Sequence, residues 1–327
     1  MKKIINRPED VLEQMVQGIV KSQPDTLELV QDTPVVKQKN LNDQVSLVSG
    51  GGSGHEPSHA GFVGDGMLQA AVCGQVFTSP SSNDVLEAIK AVDTGSGVLL
   101  IIKNYSGDIM NFEMAMELAE MEDIKVDKVI VDDDIALEGE ELEQGNRGVA
   151  GTVLVHKILG AAARNGASLE ELAQLGQEVV DNIKTVGVAL TGATVPEVGK
   201  PGFTLPEDEI EFGVGIHGEQ GYKREKLQTS KEMAQEIVGK LRDSFGWSKD
   251  ENYGVLVNGM GGTPLMEQYI FFNDVLNELE SDELKLPFRK VGNYMTSIEM
   301  QGLSLTFIKL KDEWLEYLDA PVTNVAW

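Results

Sequence analysis

Short apolar runs alternate with longer amphipathic stretches along this chain. Val45–Val48, Val98–Ile102 and Lys128–Val131 are brief, rich in β-branched residues and closed by Gly-rich or polar turns, which predicts strands. Asn83–Val92, Met110–Met121, Val149–Asn165 and Leu169–Ile183 carry helical periodicity, and Ser168 with Glu171 forms a capping box at the head of the last. A second series follows: a strand at Thr185–Leu190, another at Glu211–Ile216, a helix at Ser230–Phe245, a strand at Tyr253–Val257, a helix at Pro264–Leu279, and strand-like runs at Val291–Ile298 and Ser304–Leu310. Pro and Gly punctuate residues 195–206 as a loop. Helices between apolar strands predict crossover connections and largely parallel pairing. The fold class is α/β, with two domains, each a β-sheet flanked by helices, meeting near residue 184: an N-terminal domain over 1–184 and a C-terminal one over 185–327.

Charge narrows the range of partners. Lys and Arg number 27 against 53 Asp and Glu, a net charge of −26. Such a surface repels polyanions, so direct contact with nucleic acid or an anionic membrane is not expected. Aromatic residues at 6% are too sparse for a base- or sugar-stacking platform. A lone cysteine, Cys73, excludes an intrachain disulfide and fits a cytoplasmic protein. Its place in the small-residue run Ala70–Gly74 predicts a buried thiol, not a reactive one. The opening residues lack the apolar core of a secretory signal, and no apolar run is long enough to span a bilayer.

Three segments offer chemistry. Ser49-Gly50-Gly51-Gly52-Ser53-Gly54-His55-Glu56-Pro57 follows a strand; its glycines admit a ligand close to the backbone, and it matches neither a Walker loop nor a dinucleotide fingerprint. Lys103-Asn104-Tyr105-Ser106-Gly107-Asp108 follows the strand Val98–Ile102, at the usual ligand edge of an open α/β sheet. Asp108 is a candidate base held ionised by Lys103, and equally a candidate N-cap for the helix that follows. In Gly213-Val214-Gly215-Ile216-His217-Gly218-Glu219, His217 ends an apolar strand between glycines, and a neutral imidazole so exposed can attack an unhindered ketone. The four histidines, His55, His59, His156 and His217, lack zinc-ligand spacing. His156 falls within a helical pattern as a packing or surface residue. Asp132-Asp133-Asp134 offers magnesium-type ligands, yet after a strand it predicts a solvated turn. Gly259–Pro264 ends one strand and opens a helix; such an N-terminus can bind an anion, and Thr-Pro there is also an ordinary helix start.

Together these segments resemble the dihydroxyacetone-binding subunit of bacterial dihydroxyacetone kinases, the DhaK family. The likeness is carried by GGGSGHEPSHAGF, KNYSGDIMNF and GVGIHGE in this order, continues through Lys200–Leu205, Asn258–Leu265 and Gly292–Ser297 to the tail Leu318–Val322, and so covers almost the whole chain. The resemblance implies two α/β domains, a homodimer and a ketone held as a hemiaminal on His217. It implies substrate contacts at Gly52, Ser53, Gly54, His55, Lys103, Asp108 and His217, with His55 or Asp108 moving the proton of the reacting hydroxyl. It also implies that no cofactor sits on this chain: ADP and magnesium belong to a separate nucleotide-carrying subunit, fed with phosphate from phosphoenolpyruvate by a phosphocarrier. Where kinase subunits read Gly-Arg-Arg-Gly this chain has Gly145-Asn146-Arg147-Gly148, preceded by the acidic stretch 138–144. It also has Gly218-Glu219-Gln220-Gly221 for Gly-Glu-Pro-Gly, and Ser297-Ile298-Glu299-Met300 for Ser-Leu-Asp-Met. These departures spare the residues around the ketone. They also fit a paralogue of the family that binds dihydroxyacetone without passing phosphate and acts as co-activator of a TetR-type transcription factor.

Overall fold

The computed structural model describes residues 2–138 and 145–327, so residues 139–144 of the acidic stretch lie outside the described residues. The chain runs α1 (Val11–Ser22), β1 (Leu27–Leu29), β2 (Val35–Gln38), β3 (Ser46–Ser53), β4 (Ala70–Val76), α2 (Ser82–Val92), β5 (Val98–Lys103), α3 (Ser106–Glu120), β6 (Val126–Val131), α4 (Thr152–Arg164) and α5 (Leu169–Val180). It continues through β7 (Ile183–Ala189), β8 (Glu209–Phe212), β9 (Lys223–Lys226), α6 (Ser230–Phe245), β10 (Asn252–Gly259), α7 (Leu265–Glu278), β11 (Lys285–Gly292), β12 (Gly302–Lys309) and α8 (Asp312–Asp319).

Two six-stranded sheets result, ordered β1-β2-β4-β3-β5-β6 and β11-β10-β12-β7-β8-β9. In the first, β4, β3, β5 and β6 are parallel, while β1 and β2 join antiparallel. Every residue of β5 is buried because helices cover both faces of this sheet. Alternation along the strand sorts the side chains: Leu99 and Ile101 pack with α4 and α5, whereas Val98, Leu100 and Ile102 pack with α2 and α3. The second sheet corrects the parallel expectation, since only β10 and β11 run parallel. β8 and β9 are joined by a ten-residue turn without a helix, and such a link gives antiparallel neighbours. One face of this sheet packs on α6 and α7, while Leu256, Ile308 and α8's Trp314 join the core under the first sheet.

Several boundaries differ from the sequence reading. β3 continues through Gly50–Ser53 beside β4, with a register shift between Gly52 and Ser53, so the glycines are a strand end and not a loop. The capping box at Ser168 and Glu171 is present, but α5 stops at Val180 and Ile183 already begins β7, as its β-branched run favours. The expected strand at Val291–Ile298 lies instead at Lys285–Gly292; its charges and Pro287 suit the outer position it holds. Residues 293–301 are thereby released to cross to the first sheet: Thr296 N–H donates to His55 O at 3.1 Å and Ile298 N–H to Gly54 O at 2.7 Å.

The acidic run after β6 is also corrected. Only Asp132 is exposed; Asp133 and Asp134 are buried. Asp133 accepts from Val149 N (2.7 Å), Gly151 N (2.8 Å) and Thr185 Oγ1 (2.5 Å), tying the start of α4 to β7. Burial pushes its carboxyl up to about 6 against those three donors. Asp134 pairs with Arg147 at 2.7 Å. Among the described residues no group of three or more His, Cys, Asp or Glu is placed to hold a metal ion. Asp133→Ala leaves two buried backbone N–H groups without an acceptor, while Thr185 keeps its bond to Thr306, and should cost about 3 kcal/mol, read as a lower urea midpoint with an unchanged slope. An unchanged midpoint would mean that water replaces the carboxylate.

Candidate functional site

The site forms where the ends of β3 and β5 meet the turn between β8 and β9. Lys103, the last residue of β5, is 1% exposed, and its Nζ donates to Asp108 Oδ2 at 3.0 Å and to Gly50 O at 3.2 Å. Asp108 is the third residue of α3, whose N-terminal dipole favours a carboxylate. It is not the N-cap: Tyr105 holds that position and provides no side-chain cap. Gly51 lies over this pair, and a β-carbon there would land on Lys103 Nζ, with Asp108 behind it. Gly51→Ala should therefore displace the Lys103–Asp108 pair and weaken ligand binding at least about tenfold, by about 1.4 kcal/mol. Calorimetry checks this, with circular dichroism as the control for folding.

Ser53 is buried and donates its hydroxyl to Gly74 O at 2.6 Å, across to β4. Gly54 N–H is taken by the Glu56 carboxylate at 3.0 and 3.1 Å. His55 is buried, stacked on Phe77 with centroids 5.1 Å apart, and its Nδ1 meets Thr296 O at 2.8 Å. Its Nε2 faces His217 Nε2 at 3.1 Å.

The sequence places His217 at the end of a strand; the structure places it in the turn, since β8 stops at Phe212. Gly213, with a φ of 79°, bends the chain before the histidine is reached. Arg147 anchors the turn by donating to Gly213 O at 2.7 Å while its Nε holds Asp134 at 2.9 Å. Gly215 leaves room for this packing, because a β-carbon there would strike the Glu219 carboxylate and approach Arg147. Glu219 grips His217 twice: Oε1 lies 2.8 Å from Nδ1, and Oε2 accepts the His217 backbone N–H at 3.0 Å. Burial alone would raise the Glu219 carboxyl, but the hydrogen bond and charge of His217 hold it at about 2. Phe77 and Tyr105 stand edge-on to the His217 ring, with centroids at 5.2 and 4.8 Å.

His55 and His217, 162 residues apart, are thus in direct contact, and Lys103 is paired with Asp108 five residues on. His59 and His156 are buried and form a second pair, Nδ1 to Nε2 at 2.9 Å; His156 is no surface residue. Cys73 is buried with its thiol pushed up to about 12, which leaves it unreactive. Phe77, Tyr105, Arg147, Glu219 and Thr296 were not singled out from the sequence. Only Glu219 left a signal, a carboxylate two residues beyond a Gly-flanked histidine.

Comparison with known proteins gives this arrangement its relatives. A family model described as the Dak1 domain matches residues 17–326. The chain belongs to the Dak1 domain family. It is 60% identical over 328 residues to the dihydroxyacetone-binding subunit DhaK of a PTS-dependent dihydroxyacetone kinase from Lactococcus lactis subsp. lactis, covering 100% of this chain and 99% of that one. It is 44% identical to the DhaKLM operon coactivator DhaQ of the same organism, over 99% of this chain and all of that one. Among solved Dak1 structures, a dihydroxyacetone kinase operon co-activator superposes with a TM-score of 0.91 over 95% of this chain and 96% of its own, at 44% identity. The dihydroxyacetone kinase of C. freundii superposes with a TM-score of 0.90 at 34% identity, over all of this chain and 60% of its own. The mixed α/β architecture of two helix-flanked sheets is therefore that of the family. Among the described residues, no helix is long and apolar enough to cross a membrane.

Proposed function

We propose that this Dak1 chain binds dihydroxyacetone, or a close small keto-triose, as a covalent hemiaminal on His217, and presents it for phosphorylation as the substrate-binding subunit of a phosphotransferase-dependent dihydroxyacetone kinase. The observation that carries the reading is the grip of Glu219 on His217 Nδ1, which directs Nε2 into the cleft toward His55. The 60% identity to a subunit of that name supports the substrate class.

Covalent capture selects a short ketone over glycerol, which has no carbonyl to attack. The rings of Phe77 and Tyr105 flank His217 and favour a small ligand. Once the carbonyl carbon is bonded to Nε2, the terminal hydroxyls are fixed in position, the condition in-line phosphoryl transfer requires. Asp108, ion-paired with Lys103, takes the proton from the reacting hydroxyl. His55 serves the carbonyl oxygen. ADP and magnesium would be held by the partner subunit, and the working form of this chain would be a cytoplasmic homodimer.

The co-activator reading has the 44% identity to DhaQ and the 0.91 superposition in its favour. On that reading the bound ketone would be signalled to a TetR-type regulator, without phosphorylation. The higher identity to the kinase subunit from the same organism favours the first reading. Reconstitution with a nucleotide-carrying subunit and phosphocarrier, fed phosphoenolpyruvate, should form dihydroxyacetone phosphate. Ketone bound without turnover would transfer the assignment to the co-activator. A ketone-soaked crystal should have continuous density between His217 Nε2 and the ligand; a ligand lying elsewhere would end both readings.

A further inference from the structure

The two histidine pairs in this chain differ in their hydrogen-bond bookkeeping. A neutral imidazole carries one N–H and one bare nitrogen. His59 and His156 satisfy this, since one nitrogen of each makes the mutual bond and the other has no acceptor to serve. In the site, by contrast, His55 Nδ1 faces a carbonyl, Thr296 O, and must carry its proton there. His217 Nδ1 faces the Glu219 carboxylate and must carry its proton as well. Two neutral rings would then oppose bare Nε2 lone pairs at 3.1 Å, which is repulsive. A single additional proton turns that contact into a hydrogen bond.

The surrounding charges leave room for it. From β5 and α3, the Lys103 ammonium faces the pair but is matched by Asp108. From the segment before α4, Arg147 is matched by Asp134. Tyr105 stays neutral, since burial pushes its hydroxyl well above 10. Glu56, on the His55 loop, turns its carboxylate to the Gly54 N–H. Glu219 then remains as a carboxylate that Arg147, already paired with Asp134, matches only in part, and the histidine pair supplies the rest. His217 Nδ1 stands on a carboxylate and His55 Nδ1 on a neutral carbonyl, so at rest the neutral ring is His55, in keeping with the burial that pushes His55 below its ordinary value.

We infer that the ligand-free His55–His217 pair stores one proton between its Nε2 atoms, and that this proton is delivered to the carbonyl oxygen when a ketone adds. The second half rests on the hemiaminal reading above; the first half does not. The proton first passes from His217 Nε2 to His55 Nε2, baring the nucleophile. The His217 Nε2 lone pair then forms the N–C bond, the C=O π pair moves to oxygen, and that oxygen takes the proton from His55. His217 ends as a substituted imidazolium with Nδ1–H still on Glu219, beside a neutral His55 and a carbon-bound hydroxyl. One positive charge is present before and after, so capture exchanges no proton with solvent. At a pH high enough to strip the pair, capture must draw a proton from water, and ketone affinity falls tenfold per pH unit.

Nitrogen NMR of the full chain carrying 15N-histidine tests the stored proton at pH 7 without ligand. Two protonated ring nitrogens on His217, and one bare nitrogen on His55, are expected. A bare nitrogen on each ring overturns the inference. Calorimetry of dihydroxyacetone binding at pH 7, in two buffers of different ionisation enthalpy, tests the delivery. Equal heats are expected, and uptake of about one proton per adduct overturns the inference while leaving the hemiaminal intact. A protonated pair that forms no adduct instead removes the hemiaminal reading and leaves the stored proton standing.

Discussion

His217→Ala should abolish the covalent adduct and weaken dihydroxyacetone binding by at least about 100-fold, roughly 2.7 kcal/mol, without unfolding the protein. Without the covalent bond, a triose with few apolar atoms has little else to hold it. His217 sits in a partly exposed turn, which limits the structural cost to about 1 kcal/mol. That cost has a pH signature. Glu219 is held at about 2 in the folded chain against an ordinary value of 4.5, so its ion pair stabilises the fold fully above about 4.5 and fades as pH falls toward 2. The Glu219 side chain is 34% exposed, and screening reduces the contribution to about 1 kcal/mol. In the variant this acid-side slope should shrink, since only backbone N–H groups and Arg147 still hold Glu219 down. Urea unfolding between pH 3 and 7, together with a ketone titration, checks both statements. Residual binding within threefold of the parent would mean that the ketone is held elsewhere.

Asp108→Asn should separate capture from transfer. Ketone binding should change by no more than about threefold, because the amide keeps the shape of the group and His55 and His217 are untouched. Phosphoryl transfer in the reconstituted system should fall by about 100- to 10,000-fold, the usual worth of a positioned base. Lys103 is left as a buried cation without its carboxylate, so the melting temperature should also drop, by a few degrees. Assaying dihydroxyacetone phosphate formation below that temperature isolates the chemical effect. A parallel loss of binding and turnover would assign Asp108 to holding the ligand and not to proton transfer.

Much of this site is legible in the residues themselves. Gly-flanked His217, the Gly run before His55, and Lys103 with Asp108 after a wholly apolar strand each mark themselves locally. What escapes is whatever depends on distant pairing. Nothing near Thr296 announces that its carbonyl fixes the proton on His55, because those residues are 241 apart in sequence and meet only when residues 293–301 cross between sheets. Phe77 reaches the site with a φ of 57°, a conformation its own residue type does not favour. The acidic run at Asp132–Asp134 reads as a water-facing turn because charge usually means exposure; here two of its carboxylates are wanted inside, one by backbone N–H groups and one by Arg147. The second sheet misled for a related reason: pairing direction is set by connections, and β8–β9 lacks the kind of helix that links β4 to β5 and β5 to β6 in the first sheet.

The seam between the two sheets passes through the binding chemistry. Gly54 and His55 lie on one side of it, Thr296 and Ile298 on the other, joined by backbone hydrogen bonds directly beside the proposed ketone position. A ligand bonded to one imidazole and donating to or accepting from the other therefore acts as a rivet across the two halves. Deuterium uptake at the amides of Thr296 and Ile298 becomes a gauge of occupancy, slowing as the rivet is set, and any partner that touches both halves has a mechanical means of telling a loaded chain from an empty one.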